Sequence, residues 1–450
     1  MASVQLNKEQ TAAYSAIREK KNIFITGPGG VGKSHLIHYI INKSIESVCF
    51  EEDGIDYSKE NFKKTHIGLT ALTGCAAILL GRFAKTLHSW AGIGLGNGTV
   101  KDLCTKIKKN KTAEKNWIQC EMLVIDEISM MSIELFEKLD EIGQILRRSS
   151  KPFGGIQLVL VGDFFQLPPI NKNKEETMKF VFESERWPHI INTTFELKSI
   201  QRQKDPIFQD ILNAARYGKI TEQHINKLKE REGLDWKTHK IKPTLLFSRR
   251  VDVDTVNESN LKALTGERHT YTAKTVRDEK APPSLSIKSP EVETLIEMYD
   301  KNAPYQKELV LSIGAQVMLV HNLDIELGLV NGSRGVVVSF TKEDAALPVV
   351  EFINGNRVVI EPHTWLIDSL DCLAGRQQIP LRLAYALSIH KSQGATLDCA
   401  LIDIGESTFE YGQAYVALSR VRDFNSLYIW SINSKAFKVH PHVLKFYEGI

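Results

Sequence analysis

The chain has 450 residues, of which 42% are hydrophobic and 25% are charged, a composition typical of a folded globular protein and not of a disordered one. This length exceeds the size at which one hydrophobic core keeps growing, so we expect at least two packed units. The 57 basic and 54 acidic side chains give a net charge of +3, which is too small to indicate a nucleic-acid partner by itself.

Neither the N-terminus nor the cysteines indicate secretion. The opening MASVQLNKEQ lacks the apolar segment of a signal peptide, and no run reaches the roughly 18 apolar residues of a membrane helix. The six cysteines form no CxxC pair and have no zinc-finger spacing, which is typical of a reducing compartment. We therefore expect an intracellular protein without a membrane partner. The sequence does not distinguish the nucleus, the mitochondrion and the cytoplasm of a virus-infected cell.

The first strong motif is a glycine-rich loop between a predicted strand, residues 22–26, and a predicted helix. The segment GPGGVGKS fits the pattern G-x-x-x-x-G-K-S, in which backbone amides surround phosphate groups. We expect Lys33 to reach the β- and γ-phosphates and Ser34 to bind Mg²⁺. The nucleotide-binding residues predicted from this motif are Gly27, Gly29, Gly30, Val31, Gly32, Lys33, Ser34 and His35.

Two later apolar runs end in polar residues, as strands of a buried parallel sheet do. The first ends at Asp126 and Glu127; Asp126 is expected to hold Mg²⁺ and Glu127 to activate the attacking water, a pair that favours an ATPase. The second is followed by Asp163 and Gln166. Gln166 either senses the γ-phosphate or caps the turn before two prolines, and this segment alone supports both interpretations. The sequence therefore predicts an α/β protein that uses a nucleoside triphosphate and Mg²⁺. A GTPase or a small-molecule kinase could share the loop and Asp126, and the adjacent Glu127 favours an ATPase.

Further segments follow in a fixed order along almost the whole chain. They are LNKEQ (6–10), GPGGVGKS (27–34), GLTALTGCAA (68–77), TLHSWAGIGLG (86–96), LVIDEISMM (123–131), GDFFQLPPI (162–170), LKSIQR (197–202), TLLFSR (244–249), GAQVML (314–319), LVNG (329–332), SIHKSQG (388–394) and YVALSRVR (415–422). In this order, and in the insert at residues 135–155, the chain resembles the PIF (petite integration frequency) family of superfamily 1B 5′-to-3′ DNA helicases.

The resemblance implies two tandem RecA-like P-loop domains with parallel sheets, a small wedge-bearing subdomain and an inserted SH3-like β-barrel. The implied boundaries are 1–77 and 121–198 for the first RecA-like domain, 78–120 for the wedge region, 199–265 and 380–450 for the second RecA-like domain, and 266–379 for the insert. ATP is then expected to bind between the two RecA-like domains.

The resemblance also implies roles for single residues. Gln10 is expected to select adenine, although without the resemblance a surface residue of an N-terminal helix is the preferred interpretation. Arg202 and Arg420 are expected to come from the second domain and to stabilise charge on the γ-phosphate, and Gly394 to contact the nucleotide, whereas Arg422 is expected to be a surface residue. The residues expected to contact DNA are Thr70, Thr73, His88, Trp90, Asn257, His390 and Lys391. Of these, Trp90 fits a core position equally well.

The implied function is an ATP-dependent 5′-to-3′ DNA helicase that translocates on single-stranded DNA and unwinds duplexes. Its expected partners are single-stranded DNA and 5′-tailed or forked duplexes, and the free protein is expected to be a monomer. G-quadruplexes and RNA–DNA hybrids are further substrates known from the family. Two alternatives stay open: a DNA clamp that uses ATP only to switch its affinity, and an RNA helicase.

Overall fold

The computed structural model describes residues 6–48, 66–81, 84–94, 96–169, 179–239, 241–277, 290–324, 327–342, 346–367 and 374–450. The chain divides into two compact units. The first consists of Met1–Lys219, Glu410–Tyr415 and Lys438–Ile450, and the second of Ile220–Phe409 and Val416–Phe437. None of the helices in the described ranges combines the length and the apolar character that a membrane crossing requires.

The first unit is built on a six-stranded parallel sheet. Its strands are β1 (Ile23–Thr26), β2 (Ile67–Ala71), β3 (Lys85–Thr86), β4 (Met122–Asp126), β5 (Gln157–Val161) and β6 (Thr193–Glu196), in the order β3-β2-β4-β5-β1-β6. Every residue of β1, β2, β4 and β5 is buried, as the continuous apolar runs predict for a sheet covered on both faces. The carboxyl ends of parallel strands meet at one edge, so the glycine-rich loop, Asp126 and Asp163 all lie along that edge.

Helices cover both faces of this sheet. They are α1 (Lys8–Arg18), α2 (Lys33–Val48), α3 (Gly74–Leu80), α4 (Leu87–Ala91), α5 (Val100–Lys109), α6 (Lys111–Gln119), α7 (Ile133–Arg147), α8 (Trp187–Ile190) and α9 (Pro206–Arg216). Helices α1 to α3 share one core with Ile23 and Ile25, while α4 to α8 share the other with Phe24 and Ile125. In the expected wedge region, 78–120, side chains such as Leu87, Trp90 and Trp117 are buried in the core of the first unit, whereas Ile118 is 49% exposed. The strand-separating role of this region stays a prediction.

The boundary between the units lies further along the chain than expected. Helix α9 belongs to the first unit because its last residue, Arg216, forms buried ion pairs with Asp163 at 3.0 Å and with Glu196 at 3.2 Å. The expectation that Arg202 comes from the second unit is therefore wrong. Arg202 precedes α9 and lies in the first unit.

The second unit contains a four-stranded parallel sheet. Its strands are β7 (Thr244–Phe247), β18 (Ala386–Ser388), β19 (Ala400–Ile404) and β20 (Leu427–Ile432), in the order β18-β7-β19-β20. The helices of this unit are α10 (Glu222–Lys229), α11 (Arg250–Lys262), α12 (Pro290–Asn302) and α13 (Ile389–Ser392). The α/β class and the pair of parallel sheets are as predicted.

Antiparallel strands occupy the chain between β7 and β18. They are β8 (Arg268–Thr272), β9 (Lys274–Arg277), β10 (Glu308–Ser312), β11 (Gln316–Leu319), β12 (Arg334–Phe340), β13 (Pro348–Phe352), β14 (Arg357–Val359), β15 (His363–Leu366), β16 (Ala374–Gln378) and β17 (Leu381–Leu383). They form a five-stranded sheet β14-β13-β12-β11-β17, a three-stranded sheet β15-β16-β9 and the pair β10-β8. The expected insert of short strands is present, and its SH3-like character stays a prediction.

The C-terminal part of the chain contributes to both units. Helix α14 (Gln413–Leu418) contains the point, between Tyr415 and Val416, at which the chain leaves the first unit, and the chain returns at Lys438. Helix α15 (Pro441–Glu448) then packs on the first unit, where the Phe446 ring stacks on Phe182 with centroids 4.2 Å apart. The assignment of all of 380–450 to the second domain is therefore wrong for the segments 410–415 and 438–450.

Candidate nucleotide-binding site

The glycine-rich loop is held in place by the segment that contains Arg202. The Gly30 carbonyl accepts hydrogen bonds from the backbone amides of Gln201 at 2.8 Å and Arg202 at 3.1 Å. Gly30 has a φ of +88°, and a Cβ atom there would lie 2.5 Å from the Cβ of Arg202. Only glycine fits this position, and Arg202 is placed directly beside the loop.

Lys33 lies at the centre of a group of charged side chains. Its ammonium donates hydrogen bonds to the carbonyls of Gly27 at 2.7 Å and Pro28 at 3.0 Å. Burial lowers the pKa of Lys33, although the nearby carboxylates of Asp163, Glu127 and Asp126 act in the opposite direction. The structure thus brings together the loop lysine and the acidic residues predicted to act with it. Ser34 and His35 follow in α2 with exposed side chains.

The two acidic residues at the end of β4 have different surroundings. Asp126 is buried, and its Oδ1 accepts the backbone N–H of Glu127 at 2.8 Å. Burial, together with the charge of Glu127, raises the pKa of Asp126 to about 7. Glu127 itself has a φ of +56°, a left-handed conformation that costs free energy in a non-glycine residue and that often occurs at functional sites.

The oxygen donors near the loop suit Mg²⁺. This ion takes one or two protein oxygens and completes its octahedral shell with water and phosphate oxygens. The exposed Ser34 hydroxyl and the Asp126 carboxylate are donors of that kind. Among the described residues, no group of three or more His, Cys, Asp or Glu side chains forms a metal site.

Gln10 lies against the phosphate loop and not on the surface. It is 5% exposed, its Nε2 is 3.5 Å from the Gly32 carbonyl oxygen, and its Oε1 accepts the Asn7 N–H at 3.0 Å. The alternative of a surface residue on an N-terminal helix is therefore wrong. The selection of adenine by Gln10 stays a prediction.

Gln166 and Asp163 are both buried at the end of β5. The backbone N–H of Gln166 donates to the Asp163 carbonyl at 2.9 Å, which forms the turn that the sequence suggested. The role of the Gln166 side chain as a γ-phosphate sensor stays a prediction.

Arg420 is a buried residue of the second unit. It is 2% exposed, and its Nε donates to the Val416 carbonyl at 2.9 Å. Its terminal nitrogens donate to the carbonyls of Ser392 at 3.4 Å and Ala395 at 3.3 Å, on either side of Gly394, and to the Ser419 hydroxyl at 2.6 Å. Arg420 therefore joins α14 to the turn after α13, and its contact with a phosphate stays a prediction.

Arg422, two residues further on, is exposed. This is the surface position that was expected for it.

Two residues predicted to contact DNA are buried in the first unit, so these assignments are wrong. The Thr70 side chain is fully buried, and its hydroxyl donates to the Val124 carbonyl at 2.7 Å, because β2 is covered on both faces. Trp90 is 5% exposed and packs on Trp117 with ring centroids 5.1 Å apart. Of the two interpretations of Trp90, the core position is the correct one.

Two other predicted DNA contacts hold backbone groups. The Asn257 amide donates to the Ala386 carbonyl and accepts the Ala386 N–H, each at 3.0 Å, which joins α11 to β18. Asn257 is half-buried and serves the fold through these two bonds, while its contact with DNA stays a prediction. The Thr73 hydroxyl accepts the N–H of Ala76 at 3.2 Å and caps α3, while the residue stays partly exposed.

The remaining three candidates have accessible side chains. His88 and His390 are half-buried, and Lys391 is exposed. Burial lowers the pKa of His390, which favours the neutral form of its ring. These residues, with Thr73 and Asn257, are the predicted DNA contacts that stay predictions.

The polar contacts of the C-terminal helix with the site were not predicted from the sequence. The Tyr447 hydroxyl contacts the Thr26 hydroxyl at the start of the loop, lies 3.3 Å from the Asp163 carboxylate and accepts the Phe164 N–H at 3.2 Å. The aromatic residues of the amphipathic segment PHVLKFYE are the local signal of a helix that packs. Nothing local indicates what the tyrosine hydroxyl contacts.

Comparisons with known proteins agree with this site. The family described as PIF1-like helicase matches residues 5–226, and the 2B domain of the DNA helicase Pif1 matches residues 295–340. The ATP-dependent DNA helicase PIF1 of Danio rerio is 39% identical over 447 residues, which are 99% of this chain and 64% of the relative. This chain thus spans a little under two thirds of that curated relative.

Solved structures extend the match over whole chains. The Pif1 helicase of Candida albicans is 35% identical with a TM-score of 0.80, and 99% of each chain is covered. The Bacteroides Pif1 bound to single-stranded DNA is 27% identical with a TM-score of 0.68, covering 99% of this chain and 97% of the other. With its phosphate loop, its paired acidic residues and its likeness to these two solved chains over 97% or more of their lengths, the chain belongs to the PIF1-like helicase family.

Proposed function

We propose that this chain is an ATP-dependent 5′-to-3′ DNA helicase that binds single-stranded DNA and 5′-tailed or forked duplexes, and that is a monomer when free. The observation that carries the proposal is the convergence of Lys33, Asp126 and Glu127 at one edge of the first sheet. The solved Bacteroides relative is bound to single-stranded DNA, which supports DNA as the polymer.

Each residue of this site has a chemical task in the proposal. Lys33 and the loop amides bind the phosphates, and Glu127 orients the attacking water and accepts its proton. Ser34 and Asp126 would hold Mg²⁺, which when bound would supply positive charge that offsets the charge on the phosphate oxygens. Arg202 lies beside the loop and Arg420 is the second candidate for stabilising the departing phosphate.

The test is strand separation on matched duplexes with a 5′ tail, a 3′ tail or a fork. The variants are Lys33→Ala, which removes phosphate binding, and Glu127→Gln, which retains the shape of the side chain but not its basicity. The expected result is unwinding of the 5′-tailed and forked substrates by the wild type only. Unwinding of the 3′-tailed substrate alone would contradict the polarity. ATP hydrolysis on single-stranded DNA without strand separation would favour the clamp.

A further inference from the structure

We propose that Tyr415 is a positioning residue of the nucleotide site, and that its hydroxyl fixes the first half of the phosphate loop by accepting the N–H of Gly29. The N–H to oxygen distance is 2.8 Å, a normal hydrogen bond. Gly29 and Tyr415 are 386 positions apart in the chain. This role rests on the proposed use of ATP, and it adds a residue whose task is to shape the loop.

The Tyr415 hydroxyl also contacts the carboxylate of a buried ion pair. It lies 3.4 Å from the Asp163 Oδ2 atom, at the long end of hydrogen-bond range. Asp163 is fully buried, and its carboxylate accepts hydrogen bonds from the Arg216 guanidinium at 3.0 and 3.1 Å. Burial alone would lower the pKa of Arg216, but Asp163 raises it well above its usual value. The guanidinium therefore stays charged, and its hydrogen bonds fix the Asp163 carboxylate.

The backbone that carries Tyr415 is fixed as well. Gly412 has a φ of +70°, and a Cβ atom there would lie 2.3 Å from the Phe165 carbonyl oxygen. The Gly412 N–H donates to the Lys438 carbonyl at 3.0 Å. Tyr415 itself is 2% exposed. The segment 410–415 is thus pressed against the turn that follows β5, and the ring has little freedom to move.

This arrangement assigns different tasks to the amides of the loop. The Gly29 N–H is directed at Tyr415, so it serves the shape of the loop. The later amides and Lys33 are then the groups that bind phosphate. Without the Tyr415 hydroxyl, the Gly29 peptide loses its partner and the loop has to be ordered when nucleotide binds, which weakens binding. Chemistry on bound ATP does not involve this hydrogen bond.

The experiment compares three tyrosine-to-phenylalanine variants of the full chain. Tyr415→Phe removes the hydroxyl that meets Gly29. Tyr447→Phe removes the neighbouring hydroxyl, which, within the described part of the chain, contacts Asp163 and Thr26 but no loop amide between Gly27 and Lys33. Tyr428→Phe is the control in the second unit, where the hydroxyl is 2.8 Å from His239. ATPase activity is measured on saturating single-stranded DNA, and ATP binding is titrated directly without DNA.

The expected result is a split between KM and kcat. Tyr415→Phe should raise the KM and the directly measured Kd for ATP about tenfold, as the loss of one buried hydrogen bond implies, with kcat within twofold of wild type. Tyr447→Phe should lower the melting temperature at least as much as Tyr415→Phe does, because more contacts are lost. It should change the KM for ATP less than threefold. Tyr428→Phe should leave both constants unchanged. A variant that only unfolds loses kcat and retains KM.

Two outcomes would overturn the proposal. Unchanged ATP affinity in Tyr415→Phe would show that the hydrogen bond does not shape the loop. A lower KM would show instead that the hydroxyl competes with phosphate for the Gly29 amide. Because binding is titrated without DNA, failure of strand separation by the wild type would count against the helicase function alone and leave the Tyr415 result interpretable.

Discussion

The two parallel sheets share an architecture but use the polar groups at their carboxyl ends differently. In the first unit, the edge presents a phosphate loop and the pair Asp126 and Glu127, and the backbone of Glu127 is left-handed. In the second, the Asp403 carboxylate accepts hydrogen bonds from the hydroxyls of Ser431 and Ser407, which hold the turn after β19. Non-glycine residues with positive φ occur, within the described ranges, only in the first unit. A shared fold therefore predicts that polar groups lie at the carboxyl ends of the strands, but not which chemistry those groups perform.

Arg420 is the residue of the second unit on which this comparison depends most. Arg420→Ala should lower ATPase activity by about 10³-fold if the guanidinium acts on the phosphate, and it should also lower the melting temperature because four hydrogen bonds are lost. Arg422→Ala, at an exposed position, should change neither by more than about twofold or 1 °C. Steady-state ATPase assays and thermal melts check both. A lower melting temperature with normal kcat per folded molecule would make Arg420 purely structural.

Asn257 tests whether polar side chains at the second sheet serve the fold. Asn257→Ala removes both hydrogen bonds to Ala386 and should lower the free energy of unfolding by about 2 kcal/mol, since each is worth about 1. Denaturant titration measures the loss. The affinity of the folded variant for single-stranded DNA should stay within twofold of wild type. A drop of tenfold or more would support the prediction that Asn257 contacts DNA.

Asp126 tests whether a polar side chain at the first sheet destabilises the fold. Its folded pKa is raised, so the folded state holds a proton more tightly than the unfolded state and stability falls as the pH rises towards 7. Asp126→Asn should therefore melt a few degrees higher than wild type at pH 8 without Mg²⁺, with a smaller difference at pH 5. Calorimetry at the two pH values checks this. A variant that melts lower at pH 8 would mean that the carboxylate stabilises the fold.

Thr70 offers the smallest expected effect. Thr70→Val retains the shape of the side chain but leaves the Val124 carbonyl without this hydroxyl, at a cost of about 1 kcal/mol in unfolding free energy. Because the hydroxyl is buried, the affinity for single-stranded DNA and its salt dependence should not change. A weaker salt dependence in filter-binding or anisotropy titrations would argue for a phosphate contact after all.

The sequence predicted the parts of the site that depend on local order. A glycine-rich loop between a strand and a helix, and Asp126 and Glu127 after an apolar run, have their chemistry within a few residues. Thr70 was predicted wrongly because the local sequence is the same whether a hydroxyl at the end of a strand faces solvent or a second core. The structural role of Asn257 was not predicted because its partner, Ala386, is 129 positions away.

Contacts across long stretches of chain account for the rest. Arg202 was assigned to the wrong unit because the ion pairs of Arg216 with Asp163 and Glu196, which hold α9 in place, span 53 and 20 positions. The hydroxyls of Tyr415 and Tyr447 reach the loop and strand β1 across 386 and 421 positions. The aromatic residues themselves indicated packing, but only the fold reveals which backbone amide and which carboxylate they meet.

The most direct test of the central claim, that the edge of the first sheet hydrolyses ATP, is phosphate release by wild type and Glu127→Gln on single-stranded DNA, with ATP binding measured in parallel. Glu127→Gln should lose at least about 10³-fold in kcat, because the base is removed, while its Kd for ATP stays within about threefold. Hydrolysis by Glu127→Gln at the rate of the wild type would contradict the account.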